Sequence, residues 1–450
     1  MKRNFILAPF GSAGDVHPFL WMSRLLLERG HDVTLVAPAL FTEAARAAGV
    51  PFVPVGTTSA YEELMRNPKL WHPWHGMRIT LRFAARLTGD YYDAIAATRR
   101  KGGDMVLVSS FMALGARVAR ERFRTPLATV HIQPAIIPSV HHTPVMGAHL
   151  EWFTRMPRWL KRLLFALPNP LDQCAGGPVR SICKAVGVAP PRSLMHEWLH
   201  SPDAVLGLFP AWFAPPQPDW PRRCHLAGFP LHDLGDVRGL PPDVEQFLAA
   251  GPRPVVFTAG SAMRHATKFF ATALAACERL NLRAIFATGH PRQLPRTLPA
   301  RVLAAGYVPF SRLLPHTTAL VHHGGIGTLS HGLAAAVPQL VMPMAHDQPD
   351  NAQRLVTLGV ARRLYPKAFT VERVVGALQE LLSDPEVRKN CAIVAARMRT
   401  ENPAEIVVPV LESLRRIDSP NRAGWGAARM ETGVPAAAAD NQAAALEDSR

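Results

Sequence analysis

A glycine turn set between an apolar strand and an amphipathic helix, HHGGIGT at 322–328, constrains this chain more than any other feature. The run Ala319-Leu320-Val321 before it reads as the end of a buried strand. Strand, glycine turn and helix together present free backbone N–H groups and a positive helix end to phosphate. Glycines let the backbone come close and take positive φ. Asp347-Gln348 follows a second apolar run at 338–343, 25 positions after His322. A carboxylate and an amide there suit vicinal hydroxyls. The spacing is not the G-x-G-x-x-G of nicotinamide binding, and no Gly-Lys-Ser/Thr makes it a P-loop.

A length of 450 residues predicts two or more domains, and 48% hydrophobic residues suffice for packed cores. Fifty basic against 34 acidic residues give a formal charge of +16. Most of the excess is arginine scattered among apolar residues, without a nucleic-acid module. Expected partners are therefore anionic ligands and an anionic membrane surface, not nucleic acid. Cys174, Cys183, Cys224, Cys277 and Cys391 are odd in number and lack metal spacing, so free thiols in a reducing compartment are expected. The apolar run after Lys2 and Arg3 is too short for a signal peptide, and Asp15 and His17 interrupt it. No run reaches the ~18 apolar residues of a membrane span. A cytoplasmic protein is expected, with peripheral contact at the inner membrane face.

Strand and helix candidates alternate in both halves. Strands are predicted at 5–9, 33–37, 51–55, 105–109 and 127–131, then at 254–258, 284–288, 302–304 and 320–322. Helices are predicted at 19–29, 41–48, 269–280, 329–336, 352–358, 371–382 and 385–398. Alternation implies parallel sheets with helices on both faces. A proline-dense stretch at 209–242 separates the halves and reads as extended loop. Expected boundaries are a first domain at 1–228, a linker at 229–244 and a second domain at 245–400. A helix at 401–418 is expected to pack back toward the first domain, before a disordered tail at 419–450.

The turn GSAGDVHP at 11–18 closes the first strand, where an open α/β sheet faces its crevice. Asp15 and His17 are the candidate general bases for deprotonating a hydroxyl. Asp15 also reads as a helix cap. Ser12 and Gly14 on the same turn are donor-binding candidates. Segment 151–167, EWFTRMPRWLKRLLFAL, mixes Trp152 and Trp159 with Arg155, Arg158, Lys161 and Arg162. It suits an interfacial amphipathic helix, or a helix over the cleft with outward arginines. Trp152, Trp159, Trp212 and Phe213 are the acceptor-binding candidates; the last two otherwise anchor the linker.

The segment HHGGIGT…DQ resembles the nucleotide-sugar signature of the family 1 glycosyltransferases. The resemblance spans roughly 1–416 and implies the GT-B fold: two Rossmann-like doubly wound α/β domains facing each other across a crevice. It assigns the diphosphate to His322, Gly324, Gly325, Gly327 and Thr328, the donor sugar to Asp347 and Gln348, and packing to His323. It places the base where Asp15 stands. Gly260-Ser261 would touch the phosphates, unless this is an ordinary β–α turn. Tyr307 would stack on the nucleobase and the Val308 backbone would bond its edge, unless Tyr307 only packs. The glutamine usual after the proline is Phe310 here, which leaves that ribose contact unassigned. No D-x-D pair is present, so no metal is expected; nor is any cofactor beyond the substrate nucleotide sugar. More narrowly, 11–19, 198–221 and 346–359 resemble the rhamnosyltransferases of mono-rhamnolipid synthesis. That implies dTDP-L-rhamnose as donor, a 3-(3-hydroxyalkanoyloxy)alkanoic acid as lipid acceptor, and a partner enzyme that supplies the acceptor. Two rivals are a macrolide- or sterol-type glycosyltransferase and a non-catalytic partner that binds nucleotide sugar or recruits a synthase to the membrane.

Overall fold

The computed structural model describes residues 2–73, 75–99, 104–147, 150–233 and 239–417. The expected tail at 419–450 and the middle of the expected linker, 234–238, lie outside the described residues. Seven strands build the first sheet: β1 Asn4–Ala8, β2 Asp32–Pro38, β3 Phe52–Val55, β4 Met105–Ser110, β5 Leu127–His131, β6 Ala204–Gly207 and β7 Cys224–Leu226. Six build the second: β8 Val255–Thr258, β9 Ala284–Ala287, β10 Val302–Ala305, β11 Ala319–His322, β12 Gln339–Val341 and β13 Ala361–Arg363. Every pairing is parallel. The two α/β halves are thus doubly wound, as expected. Their central strands are short continuous apolar runs because helices cover both faces.

Strand order positions the site. The first sheet runs β3-β2-β1-β4-β5-β6-β7 and the second β10-β9-β8-β11-β12-β13. In each, the chain winds outward from its first strand, then returns to that strand's other side. Loops leaving two adjacent strands at such a reversal diverge and open a crevice at the carboxyl ends. The reversals fall between β1 and β4 and between β8 and β11. The turns after β1, β8 and β11 carry Asp15, Gly260 and the histidine–glycine run.

The structure corrects the sequence reading elsewhere. β6, β7 and β13 were not expected, nor were the helices Thr58–Arg66, Gly76–Arg86, Thr88–Thr98, Leu114–Phe123 and Asp172–Ala185. β7 lies inside the proline-dense stretch, as a three-residue edge strand where proline neighbours are tolerated. Segment 151–167 is not one helix. It splits into Glu151–Thr154 and Arg158–Ala166 at Pro157, the N-cap of the second piece. The helix Pro403–Glu412 meets the first sheet's layer: Arg3 Nη1 donates to the carbonyls of Glu412 at 2.8 Å and Leu414 at 3.1 Å, and Arg29 pairs with Glu412 at 2.7 Å. Among the described residues no helix is long and apolar enough to cross a membrane.

Candidate active site

The loops at the two reversals enclose a cavity of about 500 Å³. Both sheets contribute, so candidates hundreds of residues apart share one space: Ser12, Gly14, Asp15 and His17 from the first, and Gly260, Ser261, Tyr307 and Val308 from the second. Gly325, Gly327, Thr328, Asp347 and Gln348 join them.

Asp15 belongs to the first turn of the helix Ala13–Glu28. Its Oδ2 accepts from the Ser12 backbone N–H at 2.7 Å and from the Ser12 hydroxyl at 3.0 Å. This is a capping box, so Asp15 is a helix cap and lines the cavity at once. Burial pushes its carboxyl up to about 6, against the lowering effect of the two Ser12 bonds. The preceding turn needs Gly11: φ is +134°, and a Cβ there would lie 2.3 Å from Asp15 Oδ2. His17 is held down at about 4, first by burial and next by the charge of His232. It is neutral at physiological pH and a weak base.

The two histidines before the glycines exchange the places expected of them. His322 is the last residue of β11, fully buried and absent from the cavity wall. Its Nε2 meets Gln339 Oε1 at 2.9 Å and its Nδ1 accepts from the Gly324 N–H at 3.1 Å. Both nitrogens are engaged, so His322 shapes the turn from behind. His323, the first residue past the strand, lines the cavity. Its ring is clamped: a Cβ on Gly260 would come within 2.6 Å of it and one on Gly325 within 2.4 Å. Its Nδ1 is buried with no hydrogen-bond partner. Gly324 also stands off the cavity wall. It has φ +96°, and its carbonyl accepts from Asn351 Nδ2 at 2.9 Å. The helix Ile326–Ala334 opens with Gly325 as N-cap and no side-chain cap, so its first N–H groups face the cavity unsatisfied by side chains.

Asp347 accepts from Asn351 Nδ2 at 2.6 Å. Burial raises its carboxyl to about 7, with the negative charge of Asp15 the second cause. Gln348 uses its amide oxygen to hold the Met344 and Ala345 N–H groups at 2.8 and 3.3 Å, which leaves its NH₂ for a ligand. Tyr307 is half exposed beside buried Val308.

Part of the first sheet's side of the cavity is apolar. Tyr61, Met65, Trp71, Met77, Phe111 and Met146 are among its lining. None of these was singled out in the sequence, because helices and loops far apart in the chain supply them. Seven histidines and three aspartates line the whole cavity, and among the described residues no lysine or arginine does. The four aromatic acceptor candidates lie elsewhere. Trp152 and Trp159 are on the outer surface. Trp212 donates to Glu401 Oε1 at 2.6 Å, and buried Phe213 packs on Phe229 with its carbonyl held by Arg354. The last two anchor the region beside the linker.

Comparison with known proteins agrees with this geometry. Residues 5–141 match the glycosyltransferase family 28 N-terminal domain, and 273–414 match the erythromycin biosynthesis protein CIII-like C-terminal domain. The O-mycaminosyltylonolide 6-deoxyallosyltransferase of Streptomyces fradiae is 28% identical over 432 residues, spanning 89% of this chain and 96% of its own. The crystal structure of the glycotransferase of kitacinnamycin superposes with a TM-score of 0.67 at 22% identity, over 91% of this chain and 99% of its own. A spinosyn rhamnosyltransferase complexed with thymidine diphosphate superposes with 0.64 at 18% identity, over 91% and 99%. Two family models at the two ends, a relative along nine-tenths of the length and the two parallel sheets lead to one conclusion: the chain has the GT-B fold and is similar to glycosyltransferases at both ends.

Proposed function

We propose an inverting transfer of a deoxysugar from a nucleoside diphosphate onto the hydroxyl of an apolar acceptor. The observation that carries it is the meeting of Asp15 and Asp347 over one cavity, between an uncapped helix N-terminus and an apolar wall. The acceptor oxygen attacks the anomeric carbon on the face opposite the diphosphate. Its bond forms as the bond from that carbon to the phosphate oxygen breaks. The hydroxyl proton passes to Asp15, and the electron pair leaves with the diphosphate. The N–H groups of residues 325–328 and the free nitrogen of His323 receive that charge. Asp347 and the Gln348 NH₂ hold the sugar hydroxyls, and Tyr307 stacks on the base. We assign the acceptor to 1–228 and the donor to 245–400, joined by 229–244.

The donor is proposed to be dTDP-L-rhamnose. The segment resemblance at 198–221 supports it, and thymidine diphosphate on the spinosyn neighbour suits the same fold. For the acceptor, the antibiotic-type relatives favour a compact apolar aglycone. A hydroxyalkanoyloxy fatty acid is the second reading, favoured by the methionine-rich wall, since thioether side chains adapt to flexible chains. In that case the carboxylate stays at the mouth, because the wall offers no lysine or arginine to pair with it. Dividing dTDP-L-rhamnose between a C10 hydroxyalkanoyloxy acid and a macrolide aglycone, with mass spectrometric readout, decides between them. Failure of both acceptors with every deoxysugar donor would remove the transfer reading.

Calorimetric titration separates the donor contacts. His323→Ala weakens thymidine diphosphate binding by removing a side chain that faces it, whereas His322→Ala removes no ligand contact and acts through fold stability and the turn it shapes. Asp347→Asn spares thymidine diphosphate and weakens the sugar-bearing donor. Equal losses of thymidine diphosphate affinity in His323→Ala and Asp347→Asn would refute the division.

A further inference from the structure

The helix Arg158–Ala166 is turned inside out for a helix that faces water. Its buried member is Lys161, 3% exposed, whose Nζ donates to the Thr154 carbonyl at 2.6 Å. Phe165 also points inward, onto Phe153 with ring centroids 5.9 Å apart. Outward, at i, i+4 and i+8, stand Trp159, Leu163 and Leu167, 63%, 59% and 58% exposed. Trp152, on the preceding short helix, is 59% exposed as well. Of the eleven large hydrophobic side chains exposed among the described residues, five fall within 152–167. Exposed apolar groups so concentrated mark an interaction surface.

The charges around this patch are of one sign. Arg155, Arg158 and Arg162 are exposed, and none forms an ion pair among the described residues. The single acid of the segment, Glu151, turns away to Arg363 at 2.9 Å and to the Tyr365 hydroxyl at 2.9 Å. Tryptophan and leucine interleaved with unpaired arginine suit the boundary between acyl chains and anionic headgroups. A protein partner would leave three arginines to be desolvated, whereas headgroups pair them while the stems lie along apolar surface. The patch also adjoins the cavity along the chain: Met146, which lines the cavity and is 40% exposed, stands six residues before Trp152.

We infer that this face docks the protein on an anionic phospholipid surface and holds the mouth of the acceptor side at the bilayer. Its use to the enzyme rests on the apolar-acceptor reading; the docking itself rests on the patch. The test is sedimentation of the full chain with phosphatidylcholine vesicles, with and without phosphatidylglycerol. Wild type pellets with the phosphatidylglycerol vesicles, less so at high salt. Changing Arg155, Arg158 and Arg162 together to Gln lowers the partition coefficient by about 10²-fold, most visibly at low salt. Trp159→Ser with Leu163→Ser lowers it at every salt concentration. Both variants keep wild-type thymidine diphosphate affinity, which shows that they are folded. Equal pelleting of variants and wild type overturns the inference. So does a wild type that ignores phosphatidylglycerol but forms dimers which Trp159→Ser with Leu163→Ser dissociates; the face is then a protein interface. Vesicle binding without sugar transfer to any acceptor leaves the docking intact and removes the functional reading. Transfer to a soluble acceptor without vesicle binding does the reverse.

Discussion

Asp15→Asn lowers kcat by about 10²–10⁴-fold, the usual contribution of a positioned general base, and leaves thymidine diphosphate affinity unchanged. The asparagine oxygen still accepts from the Ser12 N–H and hydroxyl, so the capping box at the head of the helix Ala13–Glu28 survives. Only the ability to take a proton is lost. Asp15→Ala removes both roles and adds a stability loss of about 1 kcal/mol, typical of a lost cap. Comparing the two variants separates cap from base. Steady-state turnover at saturating donor, with thermal melting alongside, makes the comparison. If Asp15→Asn keeps wild-type kcat, Asp15 is a cap alone. The base would then have to be His17, whose depressed pKa of about 4 makes it a poor one.

Gly325→Ala should abolish most donor binding without removing any ligand-contacting side chain. The new Cβ would lie 2.4 Å from His323 Nε2. A flexible side chain would swing aside, but this ring is backed by Gly260, where the room for a Cβ is also missing. Overpacking of this kind costs about 1–3 kcal/mol. Here it is relieved only by moving His323 or the first turn of the helix Ile326–Ala334. Either movement disorders the proposed phosphate cradle. Thymidine diphosphate is expected to bind about 10²-fold more weakly, the scale of losing one oriented donor to a charged group. Gly327→Ala is the steric control: no atom lies within 4 Å of its Cβ position, and alanine is the better helix former. Its melting temperature is expected to equal or exceed wild type, while that of Gly325→Ala falls. Wild-type nucleotide affinity in Gly325→Ala would show that the ring does not need its present place.

The glycine turns and the strands before them were legible in the sequence, because a tight turn at a strand end leaves a local residue pattern. Which of two adjacent histidines faces the cavity was not. That depends on where β11 stops pairing: His322 still matches Thr258 and Val341 in register, so its ring stays in the sheet layer, and His323 is the first residue free to turn outward. The apolar wall was invisible for a different reason. Tyr61, Trp71 and Phe111 come from separate elements that meet only through the fold. In 151–167 the break was marked by Pro157, but the composition of the segment as a whole suggested one continuous helix. The inward turn of Lys161 has no sequence signature, since its partner is a backbone carbonyl across that break. β13 has only three residues, while β6, as long as β8, is an apolar run that stands just before the proline-dense stretch; both are held by neighbours already in the sheet.

The pH dependence of kcat and of sugar-donor binding, taken together, tests most directly whether the two halves bring Asp15 and Asp347 over one reacting centre. Burial raises both carboxyls, to about 6 and about 7, so each holds its proton more tightly than in water. A base must be ionised, so kcat falls as the pH drops through this range and levels off above it. Asp15 ionises first, and its negative charge is the second cause that holds the Asp347 carboxyl up. Replacing Asp15 with Asn removes that charge and makes ionised Asp347 easier to form. The account predicts that in Asp15→Asn the pH dependence of sugar-donor affinity, which follows Asp347, moves to lower pH than in wild type. A donor-affinity profile unmoved by the substitution, or a wild-type kcat flat from pH 5 to 8, an interval spanning the carboxyl pKa values of about 6 and about 7, would contradict it.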